Sequence, residues 1–174
     1  MTDCDPRPEP YHHYVDAILY AMRKHSGQRR RDGRPYISHP LRVAEGLRVL
    51  GGITDMDVLI AGLLHDLIED TECEWADIER RFGSRVADLV ATMTGDMRLP
   101  KPQRRQEIVD RIREASDEAK SIRLADRLDN LTDMQGFTES RKHEYLEESH
   151  QILDACRAAN EGLERALSDA IASG

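Results

Sequence analysis

The segment VLIAGLLHDLI, residues 58–68, constrains the fold of this chain more than any other feature. Its apolar side chains would cover most of the circumference of a helix, and a helix of that kind is buried in a protein core. Two polar residues, His65 and Asp66, nevertheless interrupt it, and Glu69 and Asp70 follow one turn later. Because a buried charge needs a partner or a metal, we predict that these four side chains are buried together or line a cleft.

The rest of the chain has helical periodicity, and no segment shows the alternation of a half-buried strand. We therefore predict an all-α fold, a single-domain helical bundle with about eight or more helices. Residues 1–10 carry three prolines and are predicted to form a flexible arm, and the domain spans residues 11–174. Thr54 is the expected cap of the central helix. The predicted helices cover residues 11–26, 39–50, 54–69, 74–82, 84–94, 102–114, 117–134 and 140–172.

The composition argues against several classes of protein. The 174 residues carry a net charge of −8, whereas a general nucleic-acid binder needs a basic face. No stretch is long and apolar enough to span a membrane, and the acidic, proline-rich start does not have the pattern of a signal peptide. The three cysteines are odd in number and widely spaced, which does not suit a disulfide framework or a zinc motif. We therefore expect a cytoplasmic protein that contacts neither nucleic acid nor membrane.

Two further residues could complete a site around His65 and Asp66. His39 follows an arginine-rich loop in YISHP, and Asp126 lies in IRLADRLDNL, a predicted helix with its own apolar face. Two imidazoles and two carboxylates form a mixed nitrogen and oxygen set, which suits Mn²⁺, Fe²⁺ or another divalent ion with open positions. Residue chemistry alone leaves a simpler role open for His39 and Asp126, as a helix cap or a surface residue.

Four motifs, in this order, carry a resemblance to a known family. HSGQRRRDGRPYISHP, LLHDLIEDT, RFGSRVADLV and LADRLDNL resemble the HD-domain hydrolase module of the RelA/SpoT-type (p)ppGpp enzymes, and most closely the stand-alone small alarmone hydrolases. The resemblance covers about residues 11–160. It implies an HD-type helical domain and Mn²⁺-dependent hydrolysis of the 3′-pyrophosphate of ppGpp and pppGpp, which yields GDP or GTP and pyrophosphate.

The resemblance also implies roles for individual residues. Glu69 and Asp70 match the catalytic acidic pair of the family. The residues that match the ligands of a single Mn²⁺ ion are His39, His65, Asp66 and Asp126. The residues that match contacts to the nucleotide and its phosphates are Arg30, Arg31, Asn130 and Tyr145.

The chain departs from the family pattern at two positions. Met97 stands where similar small hydrolases often have a lysine, and Arg98 or Lys101 could replace that lysine as a phosphate contact. Asp129 stands where the family usually has His or Tyr, which bears on recognition of the base. Outside these motifs, His25 at the end of the first predicted helix is interpreted as a helix-end cation.

Two other functions remain open from the sequence. The same chemistry could act on another 3′-phosphorylated nucleotide, such as an adenosine alarmone or NADPH, because base choice depends on the shape of the pocket. A non-catalytic module that binds an alarmone is a further alternative, although such a module has no need of Glu69 and Asp70. The expected partner is a small anionic nucleotide, and the interpretation allows for a homo-oligomer and for functional pairing with an alarmone synthetase.

Overall fold

The computed structural model describes residues 10–173, and this part of the chain contains ten helices and no strand. The all-α prediction is confirmed. The predicted arm lies outside the described residues except for Pro10, which begins the first helix. The helices are α1 Pro10–Lys24, α2 Ser38–Val49, α3 Met56–Leu64, α4 Leu67–Asp70, α5 Trp75–Phe82, α6 Ser84–Met93, α7 Lys101–Arg113, α8 Asp117–Leu131, α9 Glu139–Ala155 and α10 Glu161–Ser173.

Helix α3 is the centre of the bundle, as its apolar sequence predicts. Every residue from Val58 to Leu64 is buried, and α3 packs against α1, α2, α6 and α8. The crossing with α2 is close at Gly62, where an added Cβ atom would lie 2.5 Å from Leu47 Cδ1. A glycine at this position therefore lets the two helices that carry His39 and His65 approach each other.

The central helix ends earlier than predicted. The sequence predicts one helix over residues 54–69, but α3 ends at Leu64 and the short α4 begins at Leu67. The physical reason lies in the Gly62 carbonyl, which accepts a hydrogen bond from His65 Nδ1 at 2.8 Å. In an uninterrupted helix this carbonyl would accept from the Asp66 N–H group. The prediction of Thr54 as the cap is also wrong, because the Asp55 carboxylate accepts from Asp57 N at 2.9 Å.

The predicted helix over residues 140–172 is in fact two helices. Its chain reverses between α9 and α10, where Ala158 has a φ of 67°, a left-handed conformation that is rare for a residue with a side chain. Asn160 then caps α10, since its Oδ1 accepts from Leu163 N at 3.1 Å and its Nδ2 donates to Gly51 O at 2.9 Å. The buried stripe of α10 consequently packs back on α8 and covers the helix that carries Asp126.

Among the described helices, none combines the length and the apolar character that crossing a bilayer requires.

Candidate active site

Four side chains from three parts of the fold converge at the centre of the molecule. His39 lies in the first turn of α2, His65 and Asp66 form the turn between α3 and α4, and Asp126 lies on α8. The His39 Nε2 atom is 3.3 Å from Asp126 Oδ1 and 3.4 Å from Asp66 Oδ2. The His65 Nε2 atom is 3.1 Å from Asp66 Oδ2 and 3.6 Å from Asp126 Oδ1. The four residues that the sequence nominates as ligands thus meet around one point.

The chemistry of this cluster fits a divalent ion. The two Nε2 atoms are buried, and among the described residues neither has a partner with hydrogen-bond geometry. Both Nδ1 atoms are occupied, by Gly62 O at 2.8 Å for His65 and by Asp129 Oδ2 at 2.7 Å for His39. His39, His65 and Asp126 each offer one ligand atom within 4.8 Å of the others. A metal ion would satisfy nitrogens that the protein leaves without a partner.

The electrostatics of the cluster favour a cation. Burial lowers the pKa of His39, but the neighbouring carboxylates of Asp126, Asp129 and Asp66 outweigh burial and raise this pKa to about 11. Burial likewise lowers the pKa of His65, and Asp66 and Asp126 raise it to about 9. The carboxylates hold positive charge on the imidazoles when no ion is bound. A divalent ion would displace these protons and take their place among the carboxylates.

Helix α8 holds Asp126 through both carboxylate oxygens. Arg123 Nη1 donates to Asp126 Oδ2 at 2.9 Å, and the same guanidinium donates to Met93 O. Asn130 Nδ2 donates to Asp126 Oδ1 at 2.6 Å. Burial opposes ionisation of Asp126, but the neighbouring histidines and Arg123 keep its pKa well below the usual range. Asp126 is therefore a carboxylate in a defined orientation before any ligand arrives.

The acidic pair lies beside this cluster on α4. Tyr36 Oη donates to Asp66 Oδ2 at 2.6 Å and lies 3.1 Å from Asp70 Oδ2, so one hydroxyl connects a presumed ligand with the acidic pair. Glu69 Oε2 accepts from Gly95 N at 3.3 Å. Burial and the charge of Asp66 raise the pKa of both Glu69 and Asp70. Carboxyl groups with raised pKa values are suited to exchanging protons near neutral pH.

A cavity of about 310 Å³ adjoins the cluster through Tyr36 and Asn130. All four residues predicted to contact the substrate line it, namely Arg30, Arg31, Asn130 and Tyr145. The other lining residues were not predicted from the sequence, and they are Arg29, Tyr36, Asp133, Phe137 and Arg141. Tyr36 lies within the quoted glycine and arginine motif, so the motif gave a signal for it. Phe137 and Arg141 lie outside the quoted motifs, and only the fold brings them to the cavity, where the Phe137 ring contacts the Arg31 guanidinium.

The arginines of the cavity differ in their environment. The Arg30 side chain is only 8% exposed, and it pairs with Asp133 Oδ2 at 2.9 Å and donates to Asn130 Oδ1 at 3.0 Å. Arg31 is exposed, and its guanidinium lies 4.2 Å from the centre of the Phe137 ring. Arg30 is thus a donor whose orientation is already fixed in the cavity wall, whereas the exposed Arg31 side chain can adjust its position to a bound ligand.

A second, open cleft of about 680 Å³ lies on the other side of the acidic pair. The residues that line it are Arg23, Lys24, Gln28, Glu69, Asp70, Thr71 and Glu72. Met97, Arg98 and Lys101 line neither cavity. The Arg98 guanidinium is bound to Asp96 at 2.8 Å and Met97 is 57% exposed, so this structure does not place a replacement for the family lysine at the site.

The interpretation of His25 as a helix-end cation is wrong. His25 is 3% exposed, its ring centre lies 4.7 Å from that of Tyr36, and its Nδ1 lies 2.7 Å from Gln28 Oε1. Gln28 Nε2 in turn donates to Asp70 O at 2.8 Å. Burial lowers the pKa of His25 and favours the neutral ring. His25 therefore supports Tyr36 and the backbone of the acidic pair, and burial overrides the interaction with the helix dipole.

Comparisons with known proteins agree with this geometry. The family described as HD domain matches residues 17–162. The chain is 42% identical over 160 residues to guanosine-3′,5′-bis(diphosphate) 3′-pyrophosphohydrolase MESH1 of Homo sapiens. This alignment covers 88% of this chain and 89% of the human protein. It is 38% identical over 163 residues to the MESH1 protein of Drosophila melanogaster, covering 90% and 91% of the two chains.

A solved structure gives the same result for the fold. That structure is described as a metazoan ortholog of SpoT that hydrolyzes ppGpp and plays a role in starvation responses. The two structures superpose with a TM-score of 0.90 at 36% sequence identity. The similarity covers 96% of this chain and 98% of that one. The chain therefore belongs to the HD-domain family of (p)ppGpp hydrolases.

Proposed function

We propose that this protein hydrolyses the 3′-pyrophosphate of guanosine 3′,5′-bispyrophosphates, giving GDP from ppGpp or GTP from pppGpp, together with pyrophosphate. The observation that carries the proposal is the position of the His and Asp cluster. It lies beside an arginine-lined cavity on one side and the acidic pair on the other, where Glu69 is half-buried and Asp70 is exposed to the second cleft. Relatives that align over nearly the whole chain carry the name of this activity.

We propose Mn²⁺ as the ion of the site, held by His39, His65, Asp66 and Asp126. A set of two imidazoles and two carboxylates suits this ion, and four protein ligands would leave coordination positions open for other ligands. When bound, such an ion polarises a phosphoryl oxygen and lowers the pKa of water. The same four ligands would admit Fe²⁺, so the choice of Mn²⁺ is tested by activation with each metal in turn.

The cavity accounts for binding of the nucleotide. Arg30 and Arg31 offer forked donors that match phosphate oxygens, and Asn130 lies between Arg30 and the ligand Asp126. Tyr145 and Phe137 meet edge to face with ring centres 5.7 Å apart, which gives the cavity an apolar wall suited to a base. This arrangement would direct the 3′ end of the nucleotide towards the His and Asp cluster.

Glu69 and Asp70 transfer the protons of the reaction. Water attacks the phosphorus atom, the bond from phosphorus to the ribose 3′ oxygen breaks, and that oxygen must gain a proton. The acidic pair can accept the proton of the attacking water and return one to the ribose oxygen, and help of this kind contributes about 10²–10⁴ in rate. The second cleft leaves the pair open to solvent on the side opposite the nucleotide cavity.

The decisive experiment is incubation of the purified protein with ppGpp and Mn²⁺, with detection of GDP and pyrophosphate. Asp70→Asn should lose nearly all turnover, whereas Asp110→Asn on the exposed face of α7 should retain it. A folded, metal-loaded parent that does not release pyrophosphate from ppGpp would refute the proposal.

Competition between guanine and adenine substrates, including ppApp and NADPH, tests the base preference. Homo-oligomerisation, functional pairing with an alarmone synthetase and a cytoplasmic location stay predictions from the sequence.

A further inference from the structure

Asp129 occupies a buried position next to the His and Asp cluster without being one of the predicted ligands. It is 7% exposed and follows Asp126 by three residues, so one face of α8 presents both carboxylates. Its Oδ2 atom lies 2.7 Å from His39 Nδ1. A buried carboxylate is costly unless its oxygens are satisfied, so its partners indicate what it does.

Arg42 satisfies the remaining capacity of Asp129. It donates from Nε to Asp129 Oδ1 at 2.5 Å and from Nη2 to Oδ2 at 3.1 Å, a two-point contact that fixes the plane of the carboxylate. A second cation, Arg30, approaches Oδ2 only to 3.9 Å. Arg42 and His39 are three residues apart on α2, so α2 supplies both side chains that hydrogen-bond to the Asp129 carboxylate across the contact with α8.

We propose that Asp129 is the positioning residue of His39, and that Arg42 holds Asp129 in place for this task. Asp129 keeps a proton on His39 Nδ1, which leaves the Nε2 lone pair directed at the ion. The inference rests on the proposed ligand role of His39. A carboxylate that orients a metal-bound imidazole also makes it a stronger ligand, and loss of such a partner typically costs about 10–100-fold in metal affinity.

The second imidazole provides an internal comparison. His65 Nδ1 bonds to the neutral carbonyl of Gly62, whereas His39 Nδ1 bonds to a charged carboxylate. The carbonyl belongs to the backbone and persists in any variant. The support of His39 depends on a side chain at position 129, and it can be removed by substitution.

The test is Asp129→Asn, measured as Mn²⁺ affinity by calorimetry on the metal-free protein without nucleotide. The new amide has one acceptor for two donors. If its oxygen faces Arg42, its NH₂ group faces His39 Nδ1 and moves the imidazole proton to Nε2, where it blocks coordination. We expect Mn²⁺ binding about 10–100-fold weaker than in the parent. Asp133→Asn is the matched control, because Asp133 is equally buried in the turn after α8 but pairs with Arg30 and makes no contact with His39. The Mn²⁺ affinity of this variant should stay within about threefold of the parent.

A second readout separates positioning from a general structural effect. Nitrogen-15 NMR of labelled imidazoles in the Mg²⁺- or Zn²⁺-loaded protein reports which ring nitrogen of His39 carries the proton. The parent should show protonated Nδ1, and Asp129→Asn should shift this signal while that of His65 is unchanged. Thermal unfolding of the metal-free proteins checks that each variant folds.

Arg42→Gln keeps the test decisive if Asp129→Asn does not fold. This variant leaves the carboxylate in place and removes its anchor at a partly exposed position, so we expect a several-fold loss of Mn²⁺ affinity. Unchanged Mn²⁺ affinity in folded Asp129→Asn, or in Arg42→Gln if only that variant folds, overturns the inference. A parent that binds Mn²⁺ but does not cleave ppGpp refutes the proposed function and leaves this test intact.

Discussion

Removal of the Tyr36 hydroxyl tests how the metal cluster and the acidic pair are joined. This hydroxyl donates to Asp66 Oδ2 at 2.6 Å and lies 3.1 Å from Asp70 Oδ2, and it has only one proton to share between them. Tyr36→Phe keeps the ring, which packs on His25 and His39 with ring centres 4.7 and 5.8 Å away. The substitution therefore removes one donor and leaves the packing in place.

The expected loss follows from the strength of one charge-assisted hydrogen bond. A hydrogen bond to a charged group contributes about 1.5–3 kcal/mol. Since about 1.4 kcal/mol corresponds to a factor of ten in rate, kcat should fall roughly 10–100-fold. The hydrogen bond from Tyr36 also opposes the rise in the pKa of Asp70 that burial and Asp66 cause. Without it that pKa rises further, so the limb of the pH profile that Asp70 governs should move to higher pH.

The assay is steady-state hydrolysis of ppGpp across pH at saturating Mn²⁺. Tyr14→Phe is the control, because Tyr14 is a half-buried tyrosine of α1 whose charged neighbours are Glu45 and Arg48 on the outer part of α2. Its kcat should stay within about twofold of the parent. Parental kcat and an unmoved pH profile in Tyr36→Phe would show that the hydroxyl neither orients Asp70 nor sets its pKa.

Two further predictions concern stability. Burial raises the folded-state pKa of Asp70, so stability of the metal-free parent falls as pH rises through the range between the unfolded value and this raised value. Metal-free Asp70→Asn should accordingly have a higher Tm than the parent at pH 7, and this difference should disappear near pH 4. If the variant and the parent have the same Tm at pH 7 as well as at pH 4, the prediction is wrong. Gly62→Ala should lower the free energy of unfolding by about 1–3 kcal/mol in urea titrations, because its Cβ atom would meet Leu47 Cδ1 at 2.5 Å. Gly46→Ala is the control, because the nearest atom to its added Cβ would be 3.9 Å away, and the substitution should be neutral or mildly stabilising. Gly27→Ala would not serve, because Gly27 has a positive φ.

The sequence predicted the class of fold because apolar periodicity reports burial directly. It failed where a side chain competes with the backbone for a hydrogen bond. His65 takes the Gly62 carbonyl and ends α3, and periodicity carries no information about that choice. At the other missed break, Asn160 followed by Glu161 is a helix start signal that was present in the sequence. The continuous apolar pattern on both sides concealed it.

The presumed ligands and the acidic pair could be nominated from motifs, whereas their supports could not. Tyr36 and Asp129 lie within the quoted motifs, but no motif indicates their partners. Together with Arg42 they act through contacts between separate parts of the chain, which spacing along one helix does not predict. Asp129 was linked to base recognition on the family pattern, yet its contacts are with His39 and Arg42. A residue that departs from a family pattern is thus best interpreted from its own hydrogen-bond partners.

The same burial that stabilises the bundle gives the site its chemistry. Helix α3 supplies the apolar surroundings, and these surroundings make every polar group at its end costly unless it is paired. Asp126 and Asp129 meet that cost with hydrogen bonds from Arg123, Asn130, Arg42 and His39 Nδ1. The Nε2 atoms of His39 and His65 face carboxylates without hydrogen-bond geometry. An ion that coordinates these two nitrogens and the facing carboxylates would add its binding free energy to the folded state alone. Metal binding and stability are therefore coupled here, and a chelator that removes a bound ion should lower the Tm of the parent more than that of Asp129→Asn.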